Sequence, residues 1–362
     1  MRVLSERRAR RRVGLCSAFA ALSACADVPT QTPLANIDPR LDVTVAATWT
    51  ATLLTLPAGA TTSAAADVND RGIVVGAVTL QGVPGPHAVR WRKGRPKLLT
   101  EPEPLGQTSS TVATAINNGG LIVGFWNPGV GENRAVYWKK SGKVTVLTGL
   151  QGGASDFALG VNDAGVIVGQ SQNHAVRWVD GVVDDLHPAG YAESRANDIN
   201  SAGDITGWVE AMTGERRAYL WHADGSEEVL GVLVGDVHSE ANAVNDALAV
   251  VGNSGDLFST SRAFLWTEAA GMVDSQLGAS ETFGRDVGGS GRIVGYREFT
   301  ANSQFQAVAL TKLGTTVDTL PNPVGLIGRA QAVNVCGTVV GTVESSAPSS
   351  GRAVVWTQQG CD

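Results

Sequence analysis

The side chains that most often carry chemistry are few in this chain, and their spacing fits no common catalytic motif. Neither CxxC nor HExxH occurs, and GxSxG and GxGxxG are absent as well. The five histidines show no spacing typical of metal ligands: His87, His174, His187, His222 and His238. Motifs alone therefore predict no catalytic residue, no metal site and no cofactor. Carboxylates from distant parts of the chain could still pair to form a hydrolase site, which spacing does not exclude.

Three aromatic side chains stand beside carboxylates in segments that vary along the chain. Trp126, Trp208 and Tyr296 each follow closely on a glycine, and Glu210 and Glu298 lie two residues after the last two. Aromatic rings can stack on the apolar faces of sugars, and carboxylates can bind sugar hydroxyl groups. We predict that the three aromatics form a candidate ligand face for a protein or glycan partner. The alternative is that they continue strands and pack inside the fold.

The N-terminal region reads as an export signal. Six arginines and one glutamate lie within residues 1–24, and residues 13–22 form a short apolar run, as in a secretory signal peptide. Residues 22–25 (LSAC) resemble a bacterial lipobox, which implies cleavage before Cys25 and lipid attachment to that cysteine. The alternative is an ordinary signal peptide that happens to contain Cys25. We predict a lipoprotein signal at 1–24 and, with three prolines as stiffeners, a lipid-anchored tether at 25–44.

Two further cysteines lie near the C-terminus. Cys336 and Cys361 are the pair that remains if Cys16 and Cys25 belong to the export region. In an oxidising compartment such a pair favours a disulfide bond, which would join the C-terminal tail to the preceding segment. Two free thiols are the alternative.

A repeated pattern must position all of these residues. One sequence repeat occurs seven times in the chain. Two of its copies are AADVNDRGIVVG followed by PHAVRW, and ATAINNGGLIVG followed by NRAVYW. An aromatic closes six copies, from Trp91 to Trp356, with Leu310 in its place in the sixth. These two tryptophans are 265 residues apart over six steps, about 44 residues per repeat, which is the period of propeller blades.

Each repeat divides into four short runs rich in Val, Ile, Thr and aromatic residues, without helical periodicity. We therefore predict an all-β fold over residues 45–362, a seven-bladed β-propeller with four-stranded blades. The last copy stops shortly after Trp356 and lacks its fourth run, whereas residues 50–56 (TATLLTL) form an orphan run before the first copy. A ring must close to avoid exposed sheet edges. We predict that the N-terminal strand completes the last blade.

Pairs such as His87-Ala88, Arg134-Ala135 and Arg262-Ala263, downstream of Asn-x-x-Gly-x-Ile-Val-Gly, resemble the extracellular HAF repeat, which is named for a His-Ala-Phe signature. The resemblance covers roughly residues 63–356, and Arg262-Ala263-Phe264 is the nearest match to the signature. It implies an exported all-β repeat protein and carries no family-wide catalytic residue.

Charge and composition narrow the class of function. Without residues 1–24, the 28 basic and 34 acidic residues become 22 and 33, a net charge of −11. An acidic surface argues against nucleic acid and against binding to anionic lipid, so contact with the membrane is expected through the anchor only. We expect a monomeric, non-enzymatic lipoprotein of the outer membrane or cell surface that presents a loop face. The alternatives are a glycan-active enzyme with carboxylates in the central channel, and a purely architectural lipoprotein.

Overall fold

The computed structural model describes residues 48–102, 109–129, 131–151, 155–256, 261–277, 281–299, 304–310, 317–323, 325, 327–345 and 350–358. All regular structure in these residues is β-strand. Seven antiparallel sheets of four strands form a seven-bladed β-propeller, which confirms the predicted fold class.

The blades are numbered in chain order, and the strands are as follows. The N-terminal strand is β1 (Trp49–Leu53). Blade 1 contains β2 (Ala60–Val68), β3 (Ile73–Leu80), β4 (Pro86–Arg92) and β5 (Arg95–Leu98). Blade 2 contains β6 (Ser110–Ile116), β7 (Ile122–Asn127), β8 (Arg134–Trp138) and β9 (Val144–Val146). Blade 3 contains β10 (Asp156–Val161), β11 (Ile167–Ser171), β12 (His174–Val179) and β13 (Val182–Asp185). Blade 4 contains β14 (Tyr191–Ile199), β15 (Ile205–Ala211), β16 (Arg216–Trp221) and β17 (Glu227–Gly231). Blade 5 contains β18 (His238–Val244), β19 (Val250–Gly255), β20 (Ser261–Thr267) and β21 (Gly271–Asp274). Blade 6 contains β22 (Glu281–Val287), β23 (Ile293–Phe299), β24 (Gln304–Leu310) and β25 (Val317–Thr319). Blade 7 contains β26 (Ile327–Val333), β27 (Val339–Glu344) and β28 (Arg352–Gln358), together with β1.

The N-terminal strand closes the ring. β1 pairs antiparallel with β28, from Trp49 opposite Gln358 to Leu53 opposite Val354. It thereby becomes the outer strand of blade 7, and the sheet order is β1-β28-β27-β26. The prediction that the N-terminal strand completes the last blade is confirmed.

The asparagines of the Asn-x-x-Gly turns link neighbouring blades as well as shaping the turn. The side-chain oxygen of Asn117 accepts a hydrogen bond from the Leu121 amide at 2.9 Å, within its own turn. Its side-chain nitrogen donates to the carbonyl of Asn162 in the next blade at 2.9 Å. The link repeats around the ring and ends with Asn334 donating to the Asn69 carbonyl at 3.1 Å. Blade 6 has Gly288 at this position, which accepts from Asn245 but has no side chain to donate.

The repeated tryptophans pack between blades. Trp91, Trp138, Trp178 and Trp356 are almost completely inaccessible to solvent. The indole N–H of Trp138 donates to the Thr100 carbonyl, at the end of the preceding blade, at 2.6 Å. Trp91 does the same to Thr55 at 2.8 Å, which fastens blade 1 to the segment after β1. Leu310 fills the corresponding position in blade 6 and is also buried.

The alanine of each His-Ala or Arg-Ala pair lies under the following blade. The Ala88 amide donates to the Thr111 hydroxyl at 2.9 Å, and the Ala175 amide donates to the Ser194 hydroxyl at 2.8 Å. Both alanines are buried, so a larger side chain would push the blades apart. This part of the sequence repeat is therefore a packing feature.

Candidate functional site

The first strands of the seven blades surround a central channel. Each of these strands contains a β-bulge next to its repeated alanine or glycine, as between Ala196 and Asp198 in β14. A bulge leaves one residue without a partner and redirects its side chain. All seven extra residues line the channel: Ala66, Thr114, Leu159, Asn197, Asn242, Arg285 and Gln331. The cavity that they border has a volume of about 620 Å³.

The wall of this channel differs from one side to the other. Blades 1 to 3 contribute mainly small or apolar residues, among them Ala64, Val112 and Leu159, and Asp67 and Thr114 are the polar exceptions. Blades 4 to 6 contribute charged and amide side chains: Arg195, Asn197, Asp198, Glu240, Asn242, Arg285 and Asp286. The channel is thus mainly apolar along blades 1 to 3 and mainly polar along blades 4 to 6, although the scaffold around it repeats.

Trp208 lines the channel beside these polar residues and contacts Arg216. The Arg216 guanidinium lies 4.1 Å from the centre of the Trp208 ring, in a cation–π contact. It also binds two carboxylates, Glu210 at 2.8 Å and Glu240 at 2.6 Å. Burial, the largest single influence, lowers the pKa of Arg216. The hydrogen bonds and charges of Glu210 and Glu240 together outweigh it, so the pKa of Arg216 is raised. Glu210 and Glu240 are therefore held in place by an arginine.

Three aspartates on the channel wall have raised pKa values. Desolvation raises the pKa of Asp67 and of Asp198 to about 7, and that of Asp286 to about 6. Each carboxylate also accepts backbone amides, and one of them always belongs to the next blade. Asp67 binds the Ile116 amide at 2.7 Å, and Asp286 binds the Val333 amide at 2.7 Å. These aspartates connect blades from within the channel.

Trp126 lies inside a blade contact. Its side chain is 8% exposed and packs with Val75 and Ala88 of the preceding blade. Trp126 is the second residue after Gly124, whereas Trp208 and Tyr296 directly follow their glycines. Because side chains alternate along a strand, Trp126 points to the opposite face of its sheet from the other two. The three residues predicted as one ligand face therefore do not share a face.

Trp208 and Tyr296 occupy equivalent positions near the channel but in different surroundings. Trp208 is 4% exposed. Tyr296 is half-buried and stacks on Phe283 with ring centres 4.7 Å apart, and Phe305 meets it edge-on at 5.5 Å. Arg329 from blade 7 lies over Phe305 at 4.4 Å. Ligand binding by the three predicted aromatics stays a prediction, and only Tyr296 keeps appreciable exposure.

The predicted anchor and disulfide lie partly or wholly outside the described residues. Cys25 and Cys361 both lie outside the described residues, so lipidation of Cys25 and the Cys336–Cys361 disulfide stay predictions. Cys336 is exposed, in the turn between β26 and β27. Within the described part of the chain, no helix is long and apolar enough to cross a membrane.

The histidines take part in local contacts. His174 and His187 stack with ring centres 4.0 Å apart, and His174 contacts Asp185 at 2.9 Å. His87 is buried against Glu101 at 2.7 Å. In the residues that the structure describes, no group of three or more His, Cys, Asp or Glu side chains is placed to hold a metal ion.

Sequence reasoning missed the residues of the channel wall. It concentrated on the variable segments that contain Trp126, Trp208 and Tyr296, whereas the wall comes mainly from the first strand of each blade. A signal was present in the repeats. The residue four positions before the turn asparagine is alanine in most copies. The next residue, three positions before the turn, varies: it is Ala66 in the first copy, Leu159 in the third and Arg285 in the sixth. Variation at one position of an otherwise uniform strand marked the channel.

The chain is similar to known proteins mainly in fold. Residues 51–137, less than half of the chain, match the family described as "Protein of unknown function (DUF3466)". No curated protein matches the chain. Virginiamycin B lyase from Staphylococcus aureus superposes with a TM-score of 0.56 at 12% identity, covering 86% of this chain and 99% of the lyase. A structure from a study of two prolyl endopeptidases superposes with a TM-score of 0.57 at 13% identity, covering 83% of this chain and 50% of the endopeptidase chain. At such identities the likeness shows the fold alone.

Proposed function

We propose that this chain is an exported, lipid-anchored binding protein whose ligand enters the central channel of the propeller. The observation that carries the proposal is the set of seven bulge residues. In each blade a β-bulge in the first strand places one extra residue on the channel wall. These residues differ between blades, while the scaffold residues around them repeat. Bulges beside a cavity commonly orient side chains for recognition.

The partner is a protein or a glycan that presents a group able to enter the channel, and the role is binding without catalysis. The volume of about 620 Å³ lies within the range of small-molecule pockets. The carboxylates around it are already engaged. Asp67 and Asp286 bind backbone amides through both oxygens, and Glu210 and Glu240 bind Arg216. Carboxylates held this way serve structure more readily than acid–base chemistry.

A glycan-active enzyme is the second candidate. The observation in its favour is the raised pKa of Asp67, Asp198 and Asp286, three carboxyls that border one channel. Raised pKa values also occur at catalytic acids. Release of reducing ends from a glycan, lost on Asp198→Asn, would favour this candidate over binding alone. Virginiamycin B lyase and the prolyl endopeptidases are enzymes, but they share only the fold with this chain.

The channel is tested by filling it. Ala66 lies on the apolar side of the wall, so Ala66→Trp blocks the cavity without removing a polar group. Val182 is 67% exposed on an outer strand, and Val182→Trp serves as the matched control. Glycan arrays and protein pull-downs with the full chain in mild detergent should yield partners that bind the wild type and the control but not Ala66→Trp. Partners that bind all three proteins equally would contradict a channel site.

The anchor needs its own experiment. With Cys25→Ser, the protein should move from the membrane fraction to the soluble fraction. Mass spectrometry of the wild type should find a lipidated N-terminal Cys25. An unmodified N-terminus elsewhere would contradict the lipoprotein assignment without bearing on the channel.

A further inference from the structure

Arg195 is an arginine without a partner in the wall of the channel. It lies in β14, opposite Trp208 of β15. Its Nε–H is buried and has no hydrogen-bond partner, and among the described residues its side chain forms no hydrogen bond or ion pair. Arg216, close by, is satisfied by two glutamates. Of these two neighbouring arginines, Arg195 is the one whose side chain has hydrogen-bonding capacity to spare.

The surroundings of Arg195 favour an anion. Burial lowers the pKa of its guanidinium, Glu240 opposes this effect, and the nearby charges of Arg216 and Arg285 add to it. Arg285 borders the same channel, and its Nε–H donates to the neutral amide of Gln331 at 3.1 Å. Desolvated positive charge without a counter-ion is costly, and a planar guanidinium binds carboxylate or phosphate with two parallel hydrogen bonds.

The negative groups of the channel leave room for such an anion. Glu240 is engaged by Arg216 at 2.6 Å. Asp67, Asp198 and Asp286 share the channel, and their raised pKa values leave a substantial fraction of them uncharged near pH 6. Blades 1 to 3 line the same channel mainly with small and apolar residues such as Ala64, Val112 and Leu159.

We infer that the group entering the channel is an amphipathic organic anion. Its carboxylate or phosphate binds Arg195 and Arg285, and its apolar part lies against Ala64, Val112 and Leu159. This inference rests on the proposed function and names the chemistry of the ligand for that site. It explains why charged and apolar residues line different parts of one channel.

Four small probes test the inference by isothermal titration calorimetry at pH 6 with the full chain in mild detergent. Phenylacetate supplies a carboxylate, phenyl phosphate a phosphate, 2-phenylethanol a neutral head group and phenethylamine a cation. At least one anion should bind at least ten times more tightly than the alcohol and the amine, and the stronger anion identifies the head group. Equal binding of anion and alcohol, or binding of neither anion, would overturn the inference.

Variants separate a binding role of Arg195 from a structural one. Arg195→Gln should weaken binding of the preferred anion at least tenfold and leave the melting temperature unchanged or higher, because an unpaired charge has been removed. Arg177→Gln removes an exposed arginine that pairs with Asp184 on an outer face and should leave anion binding unchanged. Unaltered binding by Arg195→Gln, or a marked loss of its melting temperature, would contradict the assignment.

The same titration distinguishes this inference from the proposed function. Ala66→Trp should abolish anion binding if the anion lies in the channel. If no anion binds but Ala66→Trp still blocks a partner found on the arrays, the channel site stands and the anion inference falls. If anions bind equally to the wild type and Ala66→Trp, the anion site lies elsewhere and this inference falls too.

Discussion

At the scale of single residues, the turn asparagines show how one side chain can serve two levels of structure. Their oxygen closes the local turn, and their nitrogen reaches the carbonyl of the next blade, as from Asn69 to Asn117 at 3.0 Å. The side chains are buried, so each unmade bond would leave a polar group without water. The sequence predicted the turn from the Asn-x-x-Gly spacing. It could not predict the second bond, because that depends on the distance between blades.

Blade 6 offers a test of this second bond. Gly288 receives the bond from Asn245 but sends none to Asn334. A Cβ at Gly288 would lie 3.3 Å from a Val333 methyl group, which a small shift can accommodate. Gly288→Asn should supply the missing link and raise stability by about 1 kcal/mol, as one net hydrogen bond does.

Gly288→Ala is the matched control, because it adds the Cβ without the amide. Thermal or denaturant unfolding of both variants measures the difference. A melting temperature of Gly288→Asn at or below that of Gly288→Ala would show that the amide does not reach blade 7.

At the scale of strands, the bulge explains both the repeated glycine and the missed site. In blade 4, strict alternation would place Arg195, Asn197 and Ile199 on one side of β14. The bulge changes the register after Ala196, so Ile199 packs in the core while Arg195 and Asn197 line the channel. The sequence pattern revealed the strands but not this irregularity, because a bulge has no fixed sequence signature.

The bulge also accounts for the second glycine of every repeat. A Cβ at Gly124 would collide with the Val112 carbonyl, and one at Gly207 would collide with the Arg195 carbonyl. The first strand presses its backbone onto the second at this point, and only glycine leaves room for it. The glycine is thus a condition for aiming the neighbouring side chain into the channel.

The N-terminal strand should be essential for stability, although it lies far from the repeats in sequence. Deleting residues 45–57 removes β1, leaves an open edge on β28, and takes away the Thr55 carbonyl that binds Trp91. Exposed edges promote aggregation. We expect this deletion to aggregate or to melt at a much lower temperature.

Deleting residues 26–40 is the control, because it shortens the predicted tether and leaves β1 intact. Its melting curve should match that of the wild type. Equal melting curves for the two deletions would contradict a closing role for β1.

At the scale of the whole molecule, periodicity made the architecture accessible from sequence. The seven copies predicted the number of blades. The orphan run at residues 50–56 and the missing fourth run of the last copy predicted how the ring closes. The chemistry of the channel was not accessible in the same way. Its residues, such as Arg195 and Arg285, come from different blades and meet only when the ring is formed.

The channel aspartates should make stability depend on pH. Their pKa values are raised in the folded protein, so the unfolded chain releases these protons at lower pH than the folded one. Stability is then greatest below about pH 4 for this contribution, and it is lost as pH rises through about 6 to 7. Each pKa unit corresponds to about 1.4 kcal/mol.

Asp198→Asn isolates the effect, since its amide oxygen can still accept the Val244 amide that Asp198 binds at 3.0 Å. The lowered pKa of His187 contributes with the opposite sign, but it is common to both proteins. The melting temperature of the variant relative to the wild type should therefore increase between pH 5 and pH 8. Parallel curves over this range would show that Asp198 does not titrate there.

The pairing of β1 with β28 has a consequence for biosynthesis. Leu53 and Val354 stand opposite each other although 301 residues separate them along the chain. The ribosome makes β1 before any blade and β28 after almost all of them. Contacts this distant in sequence form slowly, because the intervening chain must first be ordered. A chain whose synthesis stops before β28 has six complete blades, and β1 stays unpaired. The ring can therefore close only after β28 has been made.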